Sequence, residues 1–288
     1  MKSRTSRGLI QAAVAASAAL LFMGSDAYSR APEARPALSA LGISSATDAT
    51  DATGTGLWEG MAPIATLPDS GGTISSPSES EASAERAVEV LASTVRRLSH
   101  PRALHDAFAS YFAFKEAHPD RVRKPYLYFV DYGLPATTPR GYVFDMASLK
   151  VVDGPFTVAH GRGSVANSEG IPTRFSNKPG AATTSLGLYV AQELYAFRGK
   201  VGGRAYRSIG LRLAGMSGKF NDNARVRGVV AHGAPYVTES RAGRSEGCPA
   251  MEQDRAKELL PKLSNGGVVF LFAPDSGWMA SDPWVHAG

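Results

Sequence analysis

At Pro125 the apolar pattern of this chain changes period, and that change limits what it can fold into more than any other feature. Beyond it, short β-branched and aromatic runs at 126–130, 141–144, 156–159, 186–191, 208–213, 228–231 and 268–272 are separated by Gly, Pro, Asn and Ser. Runs of this length bounded by turn formers read as strands. One clear helix interrupts them at 251–263, where Met251, Leu259, Leu260 and Leu263 form an apolar side and Asn265-Gly266-Gly267 ends it. The expected fold is mainly β, with helices before it and one helix following the single cysteine.

Ahead of Pro125 the spacing is helical. Val88, Leu91, Val95 and Leu98 recur at helical intervals until Ser99-His100-Pro101 breaks the pattern, and a second helix carries Leu104, Phe108, Tyr111 and Phe112. Earlier still, the chain is Ala, Ser, Thr, Gly and Pro with an Asp-Ala-Thr repeat at 48–53, too poor in large apolar residues to bury a core. It reads as a disordered tether or spacer. The first residues read as a secretory leader: Lys2, Arg4 and Arg7 precede an almost uncharged run at 8–23, and small Ser25 and Ala27 suit cleavage. An uncleaved anchor is the competing reading, and the only membrane contact expected. The expected organisation is thus a signal peptide at 1–27, a tether at 28–83, a helical segment at 84–120 and a catalytic domain at 121–288.

On either reading the body of the protein is exported, to the periplasm or cell envelope. Loss of Lys2, Arg4, Arg7 and Asp26 with the leader would take the formal charge from +5 to +3. The basic residues are dispersed, without the aromatic interleaving of a nucleic-acid surface, so no nucleic-acid partner is expected.

Cys248 is the one cysteine, so the chain has no internal disulfide, and an exported lone thiol is inert, paired with another chain or chemically active. Its context favours chemistry. Pro249 suits a first helical position, making Cys248 the expected N-cap of the 251–263 helix, where the helix dipole favours thiolate. Backbone N–H groups of Gly247 and Cys248 are placed to bind an oxyanion, and Gly247 allows close backbone approach. A thiolate nucleophile also needs a proton partner. His232, at the end of a buried strand and followed by Gly233, is the candidate, with a backbone carbonyl as its orienting acceptor.

Taken together, the run from His232-Gly233 to Ser245-Glu246-Gly247-Cys248-Pro249 resembles the L,D-transpeptidases that remodel peptidoglycan, in a divergent branch. Supporting segments are His160-Gly161-Arg162-Gly163-Ser164, Arg174-Phe175-Ser176-Asn177, Ser185-Leu186-Gly187 and Asn221-Asp222-Asn223-Ala224-Arg225. The resemblance spans roughly 125–274. It implies a β-rich catalytic domain in which Cys248 attacks a stem-peptide carbonyl, releases D-alanine and passes the acyl group to an amine of a second stem. Carried over, His232 is the general base, Gly233 gives the orienting carbonyl, backbone N–H groups of Glu246, Gly247 and Cys248 form the oxyanion hole, and Ser245 lines the pocket.

Two positions depart from the commoner motif, Glu246 in place of histidine and Ala250 in place of a polar residue. Arg244 is the substitute for recognising the donor carboxylate, and Glu246 is a candidate selector of a basic acceptor amine. His160, flanked like His232, is a candidate second pocket wall, and Asn177 a candidate partner for stem-peptide backbone. No cofactor or metal is expected, since no close ligand pair anchors a site with His160, His232 and Cys248. Hydrolysis by the same catalytic pair and a non-catalytic wall-binding module are the alternatives. A papain-like endopeptidase is disfavoured because Cys precedes His in that order.

Overall fold

A computed structural model describes residues 78–166 and 170–285. The leader at 1–27 and the tether up to residue 77 lie outside the described residues. The described residues open with helices α1 (Glu79–Leu91) and α2 (Ala103–Ala117) and close with the short helix α4 (Ser276–Met279). Between them lie strands β1 (Tyr126–Asp131), β2 (Gly141–Asp145), β3 (Lys150–Phe156), β4 (His160–Gly161), β5 (Gly187–Val201), β6 (Arg204–Gly215), β7 (Val230–Gly233), β8 (Val237–Thr238), β9 (Arg241–Ala242), β10 (Arg244–Ser245), β11 (Ala250–Met251) and β12 (Val268–Phe272). Helix α3 (Gln253–Leu263) follows β11. Among the described residues no helix is long and apolar enough to cross a membrane.

The fold is mainly β, organised as one eight-stranded sheet in the order β11-β7-β6-β5-β12-β1-β2-β3. Central strands β1 and β12 pair in parallel and are buried almost throughout, as Val268–Phe272 with no polar residue requires. Helices α1 and α2 cover the sheet rather than forming a separate lobe. Ala84, Ala87 and Leu91 of α1 and Leu104, Phe108 and Phe114 of α2 join one core with strand residues such as Phe144 and Phe270. Phe108 meets Phe144 edge to face with ring centroids 5.3 Å apart.

Three boundaries differ from the sequence reading. The tether expected up to 83 ends sooner, because Ser78 caps α1 by accepting the Glu81 N–H, so residues 79–83 are helical. The first helix stops at Leu91 and Val95 is already extended, so the spacing through Leu98 reflects packing against the core, not helix. Finally, Met251 belongs to an edge strand and α3 starts two residues later.

The sheet edge that carries the site is held by β7. It runs antiparallel to β6, with His232 opposite Gly210, and parallel to β11, with His232 opposite Ala250. A second small sheet pairs β10 with β4 in parallel, placing Arg244 beside His160. The segment between β10 and β11 must therefore cross from one sheet to the other within four residues, 246–249, and it contains Cys248.

Candidate active site

The crossing is shaped by its own side chains. Ser245 Oγ donates to the Cys248 carbonyl at 2.7 Å and accepts the Gly247 N–H at 3.1 Å, closing a tight turn. Gly247 adopts φ +128°, and a Cβ there would lie 2.6 Å from the Thr183 carbonyl oxygen, so the turn admits only glycine. Ser245 thus shapes the turn, and the Gly247 N–H that was expected in the oxyanion hole is already spent on it. The Cys248 N–H carries no hydrogen bond among the described residues.

Cys248 is not the cap of a helix. Pro249 leads into β11, its carbonyl accepting the His232 N–H at 3.3 Å, and Glu252 is the N-cap of α3. The fixed φ of proline suits an edge strand as well as a first helical turn. Without the dipole, the thiol is governed by its surroundings. Burial pushes it above its ordinary value and Glu246 adds to this, while the Val230 N–H and the Arg227 guanidinium pull it down. The thiol makes its polar contact with the Gly228 carbonyl, at 3.8 Å.

His232 is buried on β7, with Nδ1 3.1 Å from the Gly233 carbonyl oxygen. A carbonyl only accepts, so Nδ1 carries the proton and Nε2 keeps its lone pair. Burial lowers its pKa to about 4, only partly offset by the Gly233 bond, so the ring is neutral at ordinary pH. Phe197 of β5 stacks on it with centroids 4.1 Å apart and planes 18° apart. Gly210, paired with Tyr195 on one side and His232 on the other, makes room for the Tyr195 ring, from which a Cβ would lie 2.6 Å. No hydrogen bond joins His232 to Cys248 among the described residues; they are related by the pairing of β7 with β11.

His160 is held in the opposite tautomer. Arg140, fully buried, donates from Nε and Nη2 to the Val158 carbonyl at 3.1 and 2.7 Å and from Nη2 to His160 Nδ1 at 2.8 Å. A guanidinium only donates, so Nδ1 must accept and Nε2 carries the proton. Burial, then Arg140 and Arg244, lower the His160 pKa to about 3. Its Nε2 is buried without a partner, so His160 is packed behind the β10 segment and does not open onto solvent as a pocket wall.

The other expected residues divide. Glu246 is exposed two residues from Cys248 and accepts both its bonds from Arg162 Nε, at 2.8 and 2.9 Å. Arg244 is exposed on β10 and forms no ion pair among the described residues. The Asn177 side chain donates to Asp222 Oδ1 at 2.6 Å and the Lys219 carbonyl at 3.1 Å, and accepts the Asn223 N–H. It ties two loops together and is committed to that role rather than left free for a peptide.

Sequence reasoning missed Arg227. Half-buried, it donates to Ser185 Oγ at 3.0 Å and the Thr183 carbonyl at 2.7 Å, with no carboxylate partner among the described residues. Its charge favours the Cys248 thiolate. Arg225, two residues earlier, instead pairs on the surface with Gln192 and Glu193, and no spacing rule tells the two apart. Among the described residues no group of His, Cys, Asp and Glu is arranged to hold a metal ion.

A family profile described as the L,D-transpeptidase catalytic domain matches residues 96–272, well over half of the chain. The chain belongs to the L,D-transpeptidase catalytic-domain family. No curated protein matches it. Among solved structures, it is similar to an L,D-transpeptidase from Mycobacterium smegmatis at 15% identity, covering 52% of this chain and 59% of that one with a TM-score of 0.30. It is similar to one from Xylanimonas cellulosilytica at 13%, covering 59% and 80% with a TM-score of 0.31. One from Stackebrandtia nassauensis, at 14%, is covered over 93% of its length and 69% of this chain, also at 0.31. The chain spans 59% of the length of the mycobacterial protein. Membership in this L,D-transpeptidase family therefore rests on the profile match, which includes Cys248 and His232.

Proposed function

We propose that this protein is an exported peptidoglycan L,D-transpeptidase. Cys248 attacks the carbonyl of a stem-peptide bond, the thiol proton passes through His232 Nε2 to the leaving D-alanine amine, and a thioester remains. An amine of a second stem then attacks the thioester, giving its proton to His232 as the new amide forms and the Cys248 thiol is restored. The observation that carries the reading is the Nδ1 contact of His232 with the Gly233 carbonyl, which leaves a neutral imidazole with its basic nitrogen free on the strand beside the cysteine segment.

The same reading gives Arg227 and the Val230 N–H the task of stabilising the thiolate, in place of a helix dipole. The Cys248 N–H is one donor to the oxyanion. Arg244 remains the candidate for the donor carboxylate, and Glu246 the candidate for an acceptor amine, which would displace Arg162 from it.

Purified protein incubated with a disaccharide tetrapeptide is expected to give cross-linked dimers, and Cys248→Ala none. Tripeptide without dimers would assign hydrolysis instead. A carbapenem should add one adduct to the intact mass of the wild type and none to Cys248→Ala; a well-folded wild type that stays unmodified would leave only a wall-binding role.

A further inference from the structure

From Leu194 to Asn221 the chain has no Asp or Glu and six basic residues, Arg198, Lys200, Arg204, Arg207, Arg212 and Lys219. Most of this stretch is the β5–β6 hairpin, whose two faces differ. Tyr195, Phe197 and Tyr206 share the face that covers His232, Phe197 by direct stacking. The opposite face carries Arg198, Lys200 and Arg207, all exposed. Arg198 and Arg207 are direct cross-strand partners.

Like charges in directly opposed positions destabilise a strand pair, and no acidic side chain among the described residues pairs with this one. Arg198, Lys200, Arg204 and Arg207 form no ion pair among the described residues. Glu193, at the base of β5, is already shared by Arg212 and Arg225. Gln253 does reach the Arg207 carbonyl, but the carboxylates flanking it, Glu252 and Asp254, pair with Arg255 and Lys257. Two adjacent guanidinium forks without a counter-ion match carboxylates, which they bind in bidentate fashion.

We propose that this basic face of the β5–β6 hairpin is a docking surface for the free carboxylates of polymeric peptidoglycan, gripping strands beside the one being processed. The choice of polymer rests on the proposed function and on charge complementarity: peptidoglycan is a polymer with free carboxylates, and the basic face belongs to the same hairpin whose other face covers His232. The surface gives attachment to the wall and leaves the chemistry of a small soluble donor untouched.

The test separates binding from turnover. Full-length Cys248→Ala protein is sedimented with insoluble peptidoglycan, with and without Arg198→Gln and Arg207→Gln together. The double substitution should weaken binding about tenfold, and added salt should weaken wild-type binding in the same way. Walls whose carboxylates have been converted to amides should bind poorly, whereas walls stripped of phosphate polymers should bind as before. In the Cys248-containing protein the double variant should turn over soluble disaccharide tetrapeptide at the wild-type rate and melt no lower, since a repulsive pair has been removed. Unchanged sedimentation of the double variant, or of amidated walls, overturns the proposal, and so does loss of binding when phosphate polymers are removed. Absence of soluble turnover in the wild type would count against the transpeptidase reading alone, because sedimentation does not depend on it.

Discussion

At the scale of residues, the site is set by which hydrogen-bond partners can only donate and which can only accept. The Gly233 carbonyl makes His232 a base at Nε2, and the Arg140 guanidinium makes His160 a donor at Nε2, so two histidines with similar sequence surroundings have opposite capacities. Cys248 is disfavoured as thiolate by burial, and Arg227 is the cation among the described residues that pulls its pKa down. Replacing Arg227 with Gln should therefore push the thiol pKa further up and slow alkylation by iodoacetamide at neutral pH roughly threefold to tenfold. Arg227→Lys should recover part of the rate. An alkylation rate–pH profile that does not move would remove Arg227 from the activation of the cysteine.

At the scale of elements, burial by the β5–β6 hairpin keeps His232 neutral. Activity that needs the neutral ring should fall as pH drops through about 4. Phe197→Ala opens the ring to water, so its pKa should climb toward the ordinary value of 6.5 and carry the acid limb of kcat/KM upward with it; titrating His232 by NMR in both proteins checks this. Most of β3 and the outer part of the hairpin at 192–207 were not legible in the sequence. Strands β1, β2, β7 and β12 and the inner ends of β5 and β6 were legible in it, because short apolar runs between turn formers encode strands locally. The same holds for α2, α3 and the placing of His232 and Cys248 close together in sequence. What was not legible depends on partners far along the chain. Strand β11 is only Ala250–Met251, too short for any periodicity, so Pro249 read as a helix start. Arg140, buried against Val158 and His160, and Arg227, against Thr183 and Ser185, look in the sequence like any surface arginine.

At the scale of the molecule, one core runs from Ala84 to Val285, so helices and sheet should melt as a unit. Its pH response follows from the two buried histidines. Each has a folded pKa below the ordinary 6.5, so the unfolded chain binds more protons, and their contribution to stability is complete above about pH 6.5 and declines as pH falls toward 4. Asp106 and Asp131, whose carboxyls are raised by burial, act in the opposite sense. His160→Gln, which keeps an acceptor for Arg140, should flatten the slope of Tm between pH 4 and 6.5; a slope equal to that of the wild type would remove His160 as a source. The pairing of β7 with β11 has a further consequence. His232 stands on a strand clamped from both sides, whereas Cys248 hangs from a two-residue edge strand, and edges open before cores do. On heating, turnover should fail several degrees before the far-ultraviolet signal changes and should return on cooling, which would make the cysteine arm a thermal fuse in a body that outlasts it.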